Sequence, residues 1–97
     1  MAEAATARLT EHEISDRLAR LRGWRREGDA IEKQFKFASF PDAVAFVTRL
    51  VRGAEAADHH PDITINYSRV TLSYSTHSEG GLTGKDFEGA SMADRCA

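Results

Sequence analysis

The stretch Pro61-Asp-Ile-Thr-Ile-Asn-Tyr-Ser-Arg-Val-Thr-Leu-Ser-Tyr-Ser75 decides the fold. Ile63, Ile65 and Tyr67 alternate with Thr64, Asn66 and Ser68, and Val70, Leu72 and Tyr74 alternate with Thr71, Ser73 and Ser75. Successive side chains of a strand point to opposite faces, so each run has one apolar and one polar face. The polar step Ser68-Arg69 between them suits a tight connection, which predicts an antiparallel hairpin.

Upstream of the hairpin, Ser39 has the character of a helix cap, with Pro41 in the first turn and Asp42 at the favourable end of the dipole. Val44, Val47, Leu50, Val51 and Ala54 form an apolar stripe, and the helix is expected to end near Asp58 because Pro61 disfavours helical geometry just before it. Earlier still, Trp24 to Glu27 and Ala30 to Ala38 read as two strands around a Gly28-Asp29 turn. Ile31, Lys33, Phe35 and Phe37 share one face of the second; Lys33 breaks the apolar pattern, so the start of that strand is expected near a sheet edge. Thr10 and Glu13 have the spacing of a capping box, followed by Ile14, Leu18 and Leu21 at helical spacing and Gly23 as a left-handed stop. Downstream, His77 and the loop Ser78-Glu79-Gly80-Gly81 lead to a third helix capped by Thr83, with Asp86 at the reciprocal position and Phe87 and Ala90 opening its buried side.

The order helix, two strands, helix, two strands, helix predicts an α+β domain of two layers: a four-stranded antiparallel sheet with three helices packed on one face. Residues 1–9 are expected to be a flexible N-terminal segment and residues 10–97 the domain.

Thirteen basic against 15 acidic residues, scattered along 97 positions, give no electrostatic case for nucleic acid or an anionic membrane. No apolar run approaches the ~20 residues that cross a bilayer, and the alanine-rich start lacks the apolar stretch of a secretory signal. Cys96, the single cysteine, excludes an internal disulfide, and a cytoplasmic protein is expected. A core of this size leaves a modest stability margin, so oligomerisation is a reasonable expectation.

Three of the four histidines flank the hairpin: His59 and His60 before it, His77 after it. A hairpin returns the chain to its start, so its two open ends are neighbours in space. Glu55 lies one helical turn before His59, Asp58 adjoins it, and Asp86 opens the following helix at the same end of the sheet. Imidazoles titrate near neutral pH, so opposed histidines can give and take protons on two sides of a reacting centre, while a carboxylate fixes a tautomer. That suits elimination of water. Zinc is the rival reading, but the helical His-x-x-x-His spacing of common zinc enzymes is missing. A purely structural role fits any one of these histidines better than it fits three gathered at one hairpin end. Gly80-Gly81 belongs to no phosphate-binding pattern, and His12 has no assigned role.

At these residues the chain resembles the pterin-4a-carbinolamine dehydratases, whose signature reads here as Glu55, His59-His60-Pro61, Tyr67, His77 and Asp86. Ser75-Thr76-His77 followed by Gly81-Leu82-Thr83, and Phe35-Lys36-Phe37, agree as well, and the resemblance spans roughly residues 10 to 94. It implies dehydration of 4a-hydroxytetrahydrobiopterin to a quinonoid dihydropterin, in recycling of the tetrahydropterin used by aromatic amino acid hydroxylases. His59 and His77 would flank the pterin C4a as acid and base, His60 would orient the ring, and Glu55 would support a histidine or the pterin. Asp58, Pro61, Ser75, Thr76 and Asp86 would line or contact the substrate. The resemblance implies no metal and no cofactor, a pterin as small-molecule partner, and a homodimer or homotetramer with edge strands paired across the dimer. It also carries an alternative: relatives that act as dimerisation or Rubisco-assembly partners, the latter without the catalytic histidines.

Overall fold

The computed structural model describes residues 7–97. Its elements are α1 (Glu11–Leu18), β1 (Arg25–Glu27), β2 (Ala30–Lys36), α2 (Phe40–Ala57), β3 (Asp62–Asn66), β4 (Arg69–Tyr74), a 3-10 turn (His77–Glu79) and α3 (Gly84–Cys96). The strands form one antiparallel sheet in the order β1-β2-β4-β3. This is the α+β arrangement expected from the alternating patterns.

Local chemistry sets most boundaries. The Thr10 hydroxyl accepts from the Glu13 amide at 3.1 Å and the Glu13 carboxylate accepts from the Thr10 amide at 2.9 Å, closing the capping box of α1. Ser39 caps α2 through the Asp42 amide, and Asp58 ends it in the left-handed region. Thr83 and Asp86 form the capping box of α3. The β1–β2 connection turns at Gly28, whose φ of 59° suits glycine.

Four local expectations need correction. The β3–β4 turn is Tyr67-Ser68, one residue earlier than the Ser68-Arg69 step, because Asn66 pairs with Arg69. Regular α1 stops at Leu18, five residues short of Gly23. The buried stripe of α2 is Ala43, Phe46, Leu50 and Ala54, while Val44 and Val51 are exposed. Lys33 lies on an inner strand, not at an edge: β1 flanks the start of β2 and β4 pairs with it from Ile31 to Lys36. Its ammonium is matched on the helical side by Asp94, at 2.8 Å, and lies over the Phe35 ring. Asp94 also accepts from the Trp24 indole. Just before α1, Leu9 is buried and donates its amide to the Leu82 carbonyl, and Arg8 forms a bridge with Thr83; residues 1–6 of the expected N-terminal segment lie outside the described residues.

One face of the sheet carries the core. Ile31, Phe35, Val70, Leu72 and Tyr74 pack with Phe46 and Leu50 of α2 and Phe87, Ala90 and Ala93 of α3. Full burial of an aliphatic or aromatic side chain of this size contributes roughly 1.5–3 kcal/mol. The opposite face is polar, with Asp62, Ser73 and Glu32 in register across β3, β4 and β2. No helix of the described residues is long and apolar enough to cross a membrane.

Candidate functional site

The end of the sheet where β3 begins and β4 ends gathers most of the residues singled out from the sequence. Asp58 reverses the chain out of α2, with φ 51°, and the His59 amide returns to the Ala54 carbonyl. Buried Pro61 then sets the start of β3, where Asp62 stands opposite Ser73. On the other side of the hairpin β4 delivers Ser75, Thr76 and His77.

A buried polar chain ties these two ends together. Asp86 is 0% exposed. Its Oδ2 accepts from the Thr83 amide at 3.0 Å and from the Thr76 hydroxyl at 2.8 Å, and its Oδ1 lies 2.6 Å from His59 Nε2. Thr76 has one hydroxyl proton and directs it to Asp86, so the Thr83 hydroxyl, 2.9 Å away, must donate to Thr76. Acting as a carboxylate, Asp86 can only accept, so the proton between it and His59 sits on His59 Nε2. In the neutral ring Nδ1 is then the atom left to accept a proton. The His59 ring also stacks on Tyr74, 6.0 Å between centroids and 23° between planes. The Tyr74 hydroxyl is buried without a hydrogen-bond partner among the described residues, and burial is the main cause of its strongly raised pKa.

The histidines do not line one common cavity. His77, with its Nε2 3.3 Å from the Ser75 hydroxyl, lines a cavity of about 310 Å³ together with Asp62, Ser73, Thr76 and the Gly80-Gly81 loop. His59 lines a second cavity, of about 330 Å³, between the end of α2 and α3, with Lys85, Glu88, Met92 and Arg95. His60 lines neither cavity; it is exposed and pairs with the still more exposed Glu55 at 2.5 Å. Asp86 is inaccessible, so its effect on a ligand runs through His59. Tyr67 is 71% exposed at the far tip of the hairpin. Asp58 is exposed beyond α2. Among the described residues no group of three His, Cys, Asp or Glu side chains is placed to hold a metal ion.

Sequence reasoning missed Asp29, Asp62 and Ser73, which line the His77 cavity. Asp62 and Ser73 lie on the helix-free face and Asp29 in the β1–β2 turn, and the register that places Asp62 beside Ser73 was the signal that could have found Asp62.

The profile of the family described as pterin 4 alpha carbinolamine dehydratase matches residues 7–96. A protein of Roseiflexus castenholzii is 54% identical over 91% of this chain and 95% of its own. One of Sulfolobus acidocaldarius is 48% identical over 84% and 89%; both carry the name "Putative pterin-4-alpha-carbinolamine dehydratase". Among solved structures, a transcriptional coactivator/pterin dehydratase from Brucella melitensis superposes with a TM-score of 0.89 at 38% identity, covering 93% of this chain and 98% of that one. A pterin dehydratase-like RuBisCO assembly factor of the alpha-carboxysome shares the fold, with a TM-score of 0.66 at 24% identity over 77% and 89%. With nearly the whole chain matched, this protein belongs to the pterin 4 alpha carbinolamine dehydratase family.

Proposed function

We propose that this protein dehydrates 4a-hydroxytetrahydrobiopterin, or a closely related pterin-4a-carbinolamine, to the quinonoid dihydropterin by histidine acid–base catalysis without a metal or cofactor. The observation that carries this reading is the Thr83–Thr76–Asp86–His59 chain, which joins the wall of the His77 cavity to a second imidazole of assigned tautomer. In the reaction the 4a-hydroxyl leaves as water after gaining a proton, and the ring nitrogen N5 loses its proton as the C4a=N5 double bond forms. One imidazole donates and another accepts, so no net proton is consumed. His77 serves from the cavity, beside the Ser75 hydroxyl. The family resemblance supports His59 as its partner, acting through Nδ1 although its ring lines the neighbouring cavity, and Asp86 is a positioning residue that holds the His59 ring. His60, paired with Glu55, orients the pterin. Ser75, Thr76, Asp58 and Pro61 shape the site. In the cell this activity would support tetrahydropterin recycling in the cytoplasm.

The chain is further proposed to act as a homodimer. One long edge of β3 is unpaired, and Ile63, Ile65 and Tyr67 are exposed there, with Phe40, Val44 and Val51 exposed on α2. Pairing a second copy along β3 would cover that edge. The alternative role as an assembly or dimerisation partner would use such apolar surface and can coexist with catalysis; the name of the Brucella melitensis relative couples a coactivator to a pterin dehydratase.

Stopped-flow measurement of the decay of enzymatically generated 4a-hydroxytetrahydrobiopterin tests the activity. The expected result is acceleration over the buffer rate in proportion to added protein. Decay at the buffer rate would overturn the reading.

A further inference from the structure

The His77 cavity holds two carboxylates that the acid–base chemistry does not use. Asp62 opens β3 and Asp29 sits at the β1–β2 turn, and both line it. The remaining surface is built of small residues: Ala30, Ser73, Ser75, Gly80 and Gly81. Ser73 pairs with Asp62 and Glu32 on the helix-free side of the sheet, so this end of the sheet offers a floor of small residues with the Ser73 and Ser75 hydroxyls among them. Its volume of about 310 Å³ is at the lower end of small-molecule sites.

The two acids differ in rigidity and in electrostatic company. Asp29 lies in the turn after Gly28, and its charge adds to the Glu11 hydrogen bond, the main cause, in raising the pKa of Arg26. Asp62 follows buried Pro61 and is fixed in the sheet by pairing with Ser73. Among the described residues no side-chain ion pair or hydrogen bond engages its carboxylate, which leaves it free for a ligand. A carboxylate with two open oxygens matches a planar pair of parallel N–H donors, as in bidentate recognition of guanidinium. The 2-amino-4-oxopyrimidine edge of a pterin carries such a pair, the exocyclic amine and N3–H. The 2,4-dioxo edge of a lumazine replaces the amine with an acceptor, which a carboxylate repels.

Resting on the dehydratase reading, we infer that Asp62 is the specificity-determining residue of this site, selecting 2-amino-4-oxo pteridines over 2,4-dioxo ones. Its carboxylate takes the pyrimidine edge and leaves the opposite ring toward His77. Asp62 selects the substrate and takes no proton in the reaction.

The test uses the full chain with 6,7-dimethylpterin and 6,7-dimethyllumazine as fluorescent probes, which differ in the group at position 2. The wild type is expected to bind the pterin at least about 10-fold tighter than the lumazine, the scale of one charge-assisted pair. Asp62→Asn should weaken pterin binding about 10- to 100-fold and bring the ratio near one, with a circular-dichroism spectrum unchanged. Asp29→Asn should leave the ratio as in the wild type. A retained preference in Asp62→Asn, in a protein that still dehydrates its substrate, overturns the assignment to Asp62 and leaves the dehydratase reading standing. A wild type that binds neither ring and shows no dehydration overturns both.

Discussion

His59 Nε2 lies 2.6 Å from Asp86 Oδ1, with the carboxylate fully buried and the imidazole side chain 12% exposed. The pair joins the chain leaving α2 to the first turn of α3, across 27 residues of sequence. One side chain thus does two things. Asp86 completes the α3 capping box and fixes the orientation and tautomer of an imidazole.

Asp86→Asn removes the charge and turns one accepting oxygen into a donor facing donors. Stability is expected to fall by about 1–3 kcal/mol, and dehydration by about 10²-fold as His59 loses its fixed tautomer. Thr76→Val keeps the shape and removes one donor to Asp86, with an expected loss of about 1–3 kcal/mol. Denaturant unfolding and stopped-flow turnover of both variants check this; Asp86→Asn with wild-type stability and turnover would contradict it.

Gly89 sits where α3 crosses Tyr74. A Cβ added there would stand 2.5 Å from Tyr74 Cε1 and 2.8 Å from Cζ, in a ring that is fully buried against His59. Gly89→Ala improves helix propensity by about 1 kcal/mol, yet overpacking of this kind costs about 1–3 kcal/mol. Net destabilisation is expected in a thermal melt. A raised melting temperature would show that the helix shifts freely over Tyr74.

The α1 cap gives a pH dependence with a definite sign. The Thr10 amide, and next its hydroxyl, hold the Glu13 carboxyl below its ordinary value of 4.5. A lowered folded-state pKa means that the unfolded chain binds more protons as pH falls. The stabilisation is therefore present above about pH 4.5 and is lost as the pH drops through the lowered folded-state value. Glu11, paired with Arg26, acts in the same direction. Melting temperatures between pH 3 and 7 should fall less steeply on acidification in Glu13→Gln than in the wild type, because the variant lacks this proton-linked carboxyl. Equal slopes would contradict the cap's role.

Chelation tests the absence of a metal from the chemistry. Dialysis against a strong zinc chelator is expected to leave turnover unchanged, since the proposed steps pass protons between imidazoles alone. Loss of activity restored by added zinc would contradict this.

What the sequence disclosed was governed by distance along the chain. The hairpin, the two capping boxes and the Pro61 boundary are local patterns of two to four residues, and the structure forms them. The exposed faces were less legible. Val44 and Phe46 both suit a helical stripe, and only the sheet beneath α2 selects Ala43, Phe46, Leu50 and Ala54. Lys33 read as an edge signal because its partner Asp94 lies 61 residues away. At the site, the convergence of the two hairpin ends was readable from the sequence. The division of His59 and His77 between two cavities, bridged by Asp86 and Thr76, depended on where α3 docks.

That division makes His59 the most informative residue. Single-turnover dehydration by His59→Ala, set beside His77→Ala and the wild type, asks whether both imidazoles serve one reaction. Both variants are expected to be slower by ~10²–10⁴-fold while folding as the wild type does. His59→Ala at the wild-type rate beside an inactive His77→Ala would contradict the account, reducing the His59–Asp86 pair to a structural bond.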